Sequence, residues 1–293
     1  MTIRRTIPPG LLPPRPVTTH KGEAGRLLLV AGSAGLTGAA ALCALGALRT
    51  GAGLVTLAIP ESLQDLMAVK LTEAMTVPLP ETRARSLSRL ALPTLLKELE
   101  RADAAAIGPG LSRHPQTVRL VRDLLPRIRK PCVVDADGLN ALADPTRTFR
   151  RGGPWVLTPH PGEMSRLAKM RSDTAQNARE ATAKAFATRH QVVLVLKGHR
   201  TVIAAPDGRV AINDTGHPGM ASGGCGDVLT GMIAALLGQG LAPFDAARLG
   251  VYLHGSAGEL VAAQQGQIGL IASDLATTIP QAIRQYQRAS TPV

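Results

Sequence analysis

The sequence predicts an α/β fold with a central, mostly parallel sheet and helices on both faces. Short continuous apolar runs recur along the chain, as strands buried on both faces require. Each run ends in a Gly, Pro or polar cluster, and helical patterns separate one run from the next. The chain has 293 residues, 45% hydrophobic and 2% aromatic, enough for a sizeable core built from Ala, Leu, Val and Ile.

The elements follow in order. Residues 1–20 are proline-rich and are expected as an extended arm. Residues 21–293 are expected as one domain, because no linker or internal repeat divides them. Residues 26–31 form a strand that runs into Gly32-Ser33-Ala34-Gly35. A small-residue helix over 38–48 precedes a strand over 54–59, closed by Pro60. The strand over 104–107 leads into Gly108-Pro109-Gly110, and 117–125 is amphipathic and helical. Strands over 131–135 and 155–158 end in Asp135 and in Pro159-His160-Pro161-Gly162-Glu163. A helix over 174–189 leads to a strand over 192–196, which ends in Lys197-Gly198. Runs at 201–205 and 209–212 flank Pro206-Asp207-Gly208 as a hairpin. After Asp227 the chain reads as mostly helical to about residue 287.

In open α/β sheets the ligand lies at the carboxyl ends of the strands. Those ends should therefore bring together the Gly32, Gly108, Asp135, His160 and Lys197 loops. The turn Gly219-Met220-Ala221-Ser222-Gly223-Gly224-Cys225-Gly226-Asp227 should join them. Its glycines allow a tight turn that exposes N–H groups, and the apolar run behind it reads as a helix. Free N–H groups and the helix dipole favour an anion there. A carboxylate at the mouth of such a cradle suits a general base that deprotonates a hydroxyl attacking phosphorus. The alternative for Asp227 is an acidic helix N-cap.

Lys197-Gly198-His199-Arg200-Thr201 ends a strand with a cation, a flexible glycine and further donors. Such a loop suits nucleotide phosphates; the alternative is a polar turn. His160 is held between two prolines and suits a substrate or a dinucleotide pyrophosphate, against the alternative of a lone surface histidine. Asp135 and Asp137 either influence Mg²⁺ through water or cap the loop into Gly138-Leu139-Asn140. No HxH or HExxH spacing accompanies His160, so no protein metal ligand is assigned. Cys225 is expected to act as a small residue rather than a nucleophile.

The formal net charge is +12, yet no dense basic block and few aromatics are present, which argues against nucleic-acid binding. A basic surface instead steers anionic small molecules. The three cysteines form no CxxC pair, and the N-terminus lacks an apolar signal region, so a reduced, cytoplasmic setting without a membrane span is expected. The small-residue helices over 38–48 and 228–237 pack either internally or at an interface.

The order of motifs resembles the NAD(P)H-hydrate dehydratases of the ribokinase-like superfamily. The matching pieces begin with Lys21-Gly22, Gly38-Ala39-Ala40, Arg49-Thr50-Gly51-Ala52-Gly53 and Gly108-Pro109-Gly110-Leu111. They continue with Asp135-Ala136-Asp137-Gly138-Leu139-Asn140, Thr158-Pro159-His160-Pro161-Gly162-Glu163 and Lys197-Gly198. The last are the Asp227 turn, His254-Gly255-Ser256-Ala257-Gly258 and Ala272-Ser273-Asp274. The resemblance implies a ribokinase-like α/β/α sandwich. It also implies dehydration of the hydrated cofactor (S)-NAD(P)HX to NAD(P)H at the expense of ADP, or of ATP in some members, with Mg²⁺. By the same resemblance Asp227 is the proton acceptor, and Ala39, Gly110, His160 and Asp227 contact the hydrated cofactor. Lys197, Gly198, His199, Arg200, Thr201 and Gly226 hold the nucleotide. A homotetramer is the family's usual assembly. Departures are Leu36 for an aromatic residue, His217 for Asn, Cys225 for Ser and Ser112 for Gly. Many members carry an epimerase domain ahead of this one; with residues 1–20 before the first motif, that activity is not expected. The alternative reading is a ribokinase-like kinase acting on a sugar, hydroxyethylthiazole or hydroxymethylpyrimidine alcohol. A nucleotide-binding sensor without turnover is a third.

Overall fold

The computed structural model describes residues 2–4, 10–12, 15–143, 151–169 and 178–290. Its frame is one ten-stranded sheet. In chain order the strands are β1 (Thr2–Arg4), β2 (Arg26–Val30), β3 (Leu54–Pro60), β4 (Met75–Leu79), β5 (Ala104–Ile107), β6 (Cys132–Val134), β7 (Trp155–Leu157), β8 (Val193–Leu196), β9 (Val202–Ala204) and β10 (Val210–Ile212). Across the sheet the order is β1-β10-β9-β8-β7-β6-β5-β2-β3-β4. From β4 to β8 every pairing is parallel. β9 runs antiparallel to β8 and to β10, and β1 is parallel to β10. The expected hairpin is therefore present. The proline-rich arm begins with a strand that extends the sheet past it.

The helices are α1 (Thr37–Arg49), α2 (Gln64–Lys70), α3 (Leu92–Arg101), α4 (Pro115–Leu124), α5 (Ala136–Leu142), α6 (Pro161–Ala168), α7 (Arg179–His190), α8 (Cys225–Gly238), α9 (Pro243–Gln265) and α10 (Ala272–Ser290). The expected helix over 174–189 is present from Arg179; positions 174–177 lie outside the described residues.

Alternation along each strand builds two cores, one on each face of the sheet. Leu27, Leu29, Leu57 and Ile59 face α1, α8, α9 and α10. Leu28, Val30, Ile107 and Leu157 face α3, α4, α5, α6 and α7. The central strands are buried on both sides, which is why they read as unbroken apolar runs. Trp155, the chain's single tryptophan, is 1% exposed in β7.

The small-residue helices pack internally, against each other. A Cβ on Gly231 would lie 1.9 Å from the Cys43 carbonyl oxygen, and one on Gly46 would lie 2.3 Å from that of Val228. Only glycine permits this approach, so α1 and α8 interlock backbone to backbone.

β2, β3 and β4 step outward in one direction, and β5 then returns to the other side of β2. The crevice outside the carboxyl ends of β2 and β5 is thus a topological switch point, where such sheets bind ligands.

Candidate active site

The strand ends converge as the sequence requires. At the β2–β5 crevice the Gly32 N–H donates to the Pro109 carbonyl at 2.8 Å, and Ser33 Oγ donates to the Gly110 carbonyl at 2.8 Å. Gly110 has φ +61, and a Cβ on it would lie 3.0 Å from the Ala39 methyl. Ala39 and Gly110 therefore meet in one corner, with Leu36, exposed at 45%, beside them.

β6 ends in Asp135, which is buried and fully engaged. Lys197 Nζ donates to its Oδ1 at 2.8 Å, and Thr230 Oγ1 donates to its Oδ2 at 2.7 Å. Asp137 accepts from the Ser112 N–H at 2.9 Å and from Asn140 Nδ2 at 3.1 Å. The capping expected of this pair is absent at Asp135, whose side chain makes no cap bond to α5, while Asp137 ties Asn140 and the Ser112 N–H. Among the described residues, no group of three or more His, Cys, Asp or Glu side chains is placed to hold a metal ion.

His160 is the N-cap of α6. Its Nδ1 accepts from the Gly162 N–H at 3.0 Å and the Glu163 N–H at 3.4 Å, while Glu163 accepts from the His160 N–H at 2.8 Å. This reciprocal cap fixes the tautomer, since an accepting Nδ1 leaves the proton on Nε2. The ring is 52% exposed, and its Nε2 lies 3.6 Å from Glu163 Oε1.

The Asp227 turn closes the site. Gly224 has φ +95, and a Cβ on it would lie 2.4 Å from Leu42 Cδ1. Gly224, not Asp227, is the N-cap of α8, and no side chain caps that helix. The N-cap alternative for Asp227 is thus excluded. Among the described residues its carboxylate accepts no hydrogen bond. Burial and then the charge of Asp135 push its pKa up to about 7; Lys197 pulls it down, while Glu163 and Asp137 raise it further. A carboxylic acid poised near neutrality is what a general base at that pH needs.

Lys197 lies between these acids. Burial opposes its charge, but Asp135 and Glu163 outweigh burial and hold its pKa above the ordinary lysine value. A Cβ on Gly226 would lie 3.4 Å from its Nζ. Lys197, Gly198, His199, Arg200, Thr201 and Gly226 line a cleft of about 580 Å³, together with His217, Met220 and His254. Arg200 is paired with Asp214 at 3.1 Å on the rim. Ala39, Gly110 and His160 lie outside that cleft. The α8 turn joins the two groups: Gly224 packs on α1, which carries Ala39, and Gly226 lies against Lys197.

Three residues were missed in the sequence. His254 is half-buried, desolvation lowers its pKa to about 4, and its Nε2 bonds the Cys225 carbonyl at 2.8 Å. Thr230, one turn beyond Asp227, holds Asp135. Arg179 reaches the backbone of the Lys197 loop. His254 lay inside a quoted motif; nothing in the sequence marks the other two.

The chain is similar to known proteins over most of its length. A family model described as NAD(P)H-hydrate dehydratase matches residues 27–281. The chain is 56% identical over 277 residues to the bifunctional NAD(P)H-hydrate repair enzyme of Moorella thermoacetica, covering 94% of itself and 52% of that protein. It thus spans about half the length of the bifunctional relatives it matches. It is 38% identical to the ADP-dependent (S)-NAD(P)H-hydrate dehydratase of Bacillus subtilis, covering 94% of itself and 95% of that protein. A crystal structure of the ADP/ATP-dependent NAD(P)H-hydrate dehydratase of Bacillus subtilis, co-crystallised with ATP and Mg²⁺, superposes with a TM-score of 0.80 at 36% identity, covering 94% of both chains.

Proposed function

The chain belongs to the NAD(P)H-hydrate dehydratase family, and from that membership we propose that it dehydrates (S)-NAD(P)HX to NAD(P)H at the expense of ADP, giving AMP and phosphate. The observation that carries this reading is Asp227, an uncapped carboxylate with a pKa near 7 beside Lys197 and the glycine turn.

In this mechanism Asp227 takes the proton of the hydrate's hydroxyl as that oxygen attacks the β-phosphorus of ADP. The P–O bond to AMP breaks, and AMP leaves with the bridging oxygen. Phosphate then departs from the ring carbon with the C–O electron pair, and loss of a ring proton restores the dihydronicotinamide. Hydroxide is a poor leaving group and phosphate a good one, so dividing the reaction lowers the barrier. Lys197 and the N–H groups of the Gly226 turn stabilise the migrating phosphoryl group. Gly198, His199, Arg200 and Thr201 hold the nucleotide, while Ala39, Gly110 and the half-exposed ring of His160 hold the hydrated cofactor.

Mg²⁺ accompanies the nucleotide in this reading. Asp135, Asp137 and Glu163 are hard oxygen groups that already crowd Asp227 with negative charge, a setting that attracts a cation. Their oxygens are engaged in hydrogen bonds, so Asp137 and Glu163 would hold such an ion only through intervening groups. When bound, it neutralises phosphate charge.

The remaining proposals are a single domain over residues 21–293, a homotetramer and a cytoplasmic setting. Among the described residues no helix is long and apolar enough to cross a membrane. Sedimentation checks the assembly, with a species of four times the protomer mass expected.

The test adds ADP and the enzyme to hydrated NADH and follows recovery of the dihydronicotinamide absorbance. Recovery is expected, with Asp227→Asn slowing turnover by about 10³-fold while ADP still binds. Accumulation of a stable phosphate ester without recovery, or full-rate turnover by the variant, overturns the reading.

A further inference from the structure

Arg179 opens α7, and its position is electrostatically unfavourable. A cation at a helix N-terminus opposes the helix dipole. Burial also lowers its pKa from the ordinary arginine value. Its Nε is buried and has no hydrogen-bond partner among the described residues. Among the described residues it pairs with no carboxylate, and its other donors go to one stretch of backbone. It donates to the carbonyls of Leu196 at 2.8 Å, Lys197 at 3.1 Å and His199 at 2.5 Å.

These bonds dictate the geometry of the loop. In a trans peptide the N–H points away from its own carbonyl. Holding the Lys197 and His199 carbonyls on the Arg179 side turns the Gly198 and Arg200 N–H groups to the opposite side. Among the described residues neither N–H has a protein acceptor. The backbone accommodates this with φ +137 at Gly198 and φ +54 at Arg200. A Cβ on Gly198 would lie 3.1 Å from the guanidinium, so the contact also requires glycine there. Successive N–H groups freed in this way form an anion-binding concavity.

We propose that Arg179 is a positioning residue for the nucleotide: by gathering three carbonyls of the 196–199 segment it presents the loop's N–H groups to the phosphates. The role rests on the reading of that loop as the nucleotide site, and Arg179 itself touches neither nucleotide nor hydrated cofactor.

The experiment compares Arg179→Ala and Arg179→Lys with the parent enzyme. It uses calorimetric titration with ADP and steady-state kinetics with ADP and hydrated NADH varied in turn. The KM for ADP should rise about tenfold or more in Arg179→Ala, as expected for losing charge-assisted bonds. The KM for the hydrated cofactor and kcat at saturating ADP should stay within about twofold. Arg179→Lys, with a single ammonium, should fall between the two. Added methylguanidinium should restore part of the ADP affinity of Arg179→Ala, a rescue that general destabilisation would not permit. If Arg179→Ala fails to fold, Arg179→Lys carries the same split. Unchanged ADP affinity in the variants, or equal losses for both substrates, overturns the role of Arg179 alone. A parent enzyme that binds neither ADP nor ATP overturns the nucleotide reading and this proposal with it.

Discussion

Asp227 binds its proton more tightly in the folded chain than in the unfolded one, where an aspartate titrates near its ordinary value of 3.8. The folded protein therefore loses stability as pH rises from about 4 to about 7, and the full cost is present above pH 7. Asp227→Asn removes that cost. Its stability gain should be about 4 kcal/mol near pH 8 and should shrink towards zero near pH 4, measured by denaturant midpoints at the two values. The same titration sets activity in the opposite sense. Turnover needs the carboxylate, so kcat should fall as pH drops through about 7. Asp227 and Lys197 were legible because each follows a recognisable signal, a glycine-rich turn and the end of an apolar strand. Arg179 was not, because it binds carbonyl oxygens, which every residue type carries. Ser112 shows a third case: it stands at φ +79, a conformation at ease for glycine, and its N–H bond to Asp137 holds it there.

The α1–α8 contact makes its glycines unequal. Gly231→Ala forces a methyl group into the Cys43 backbone and should cost about 3 kcal/mol or more. Gly38→Ala, in the first turn of α1 with nothing within 4 Å of the added methyl, should instead stabilise the ligand-free protein by about 0.5–1 kcal/mol. Urea midpoints of both variants check the contrast. Most strands were readable from their apolar runs, with boundaries off by a residue or two. β4 escaped because Pro78 interrupts it and its residues are partly exposed at the sheet edge. α3 escaped although Leu95 and Leu99 face the core at helical spacing. The Asp135 and His160 motifs read as loops because their helices are short; both motifs are in fact helix entries, and His160 and Glu163 cap one of them.

At the scale of the molecule, the formal charge is +12, and both substrates of the proposed reaction are anionic. Attraction over distances beyond a Debye length is screened by salt, whereas chemistry inside the cleft is not. Raising ionic strength from about 0.05 to 0.3 M should lower kcat/KM for ADP several-fold while kcat changes little; a salt series in a non-chelating buffer measures it. The parallel sheet and the site at its carboxyl edge were legible because both follow from strand burial and chain reversal. The seat of β1 was not, since a three-residue strand is too short to carry a readable pattern. The lone indole of Trp155 gives this protein its own lamp. It is sealed from water, shares the chain with two tyrosines, and sits on the strand leading to the His160 loop. Its emission reports whether that strand is dry or wet, so each variant above can be followed from native to denatured without an added dye.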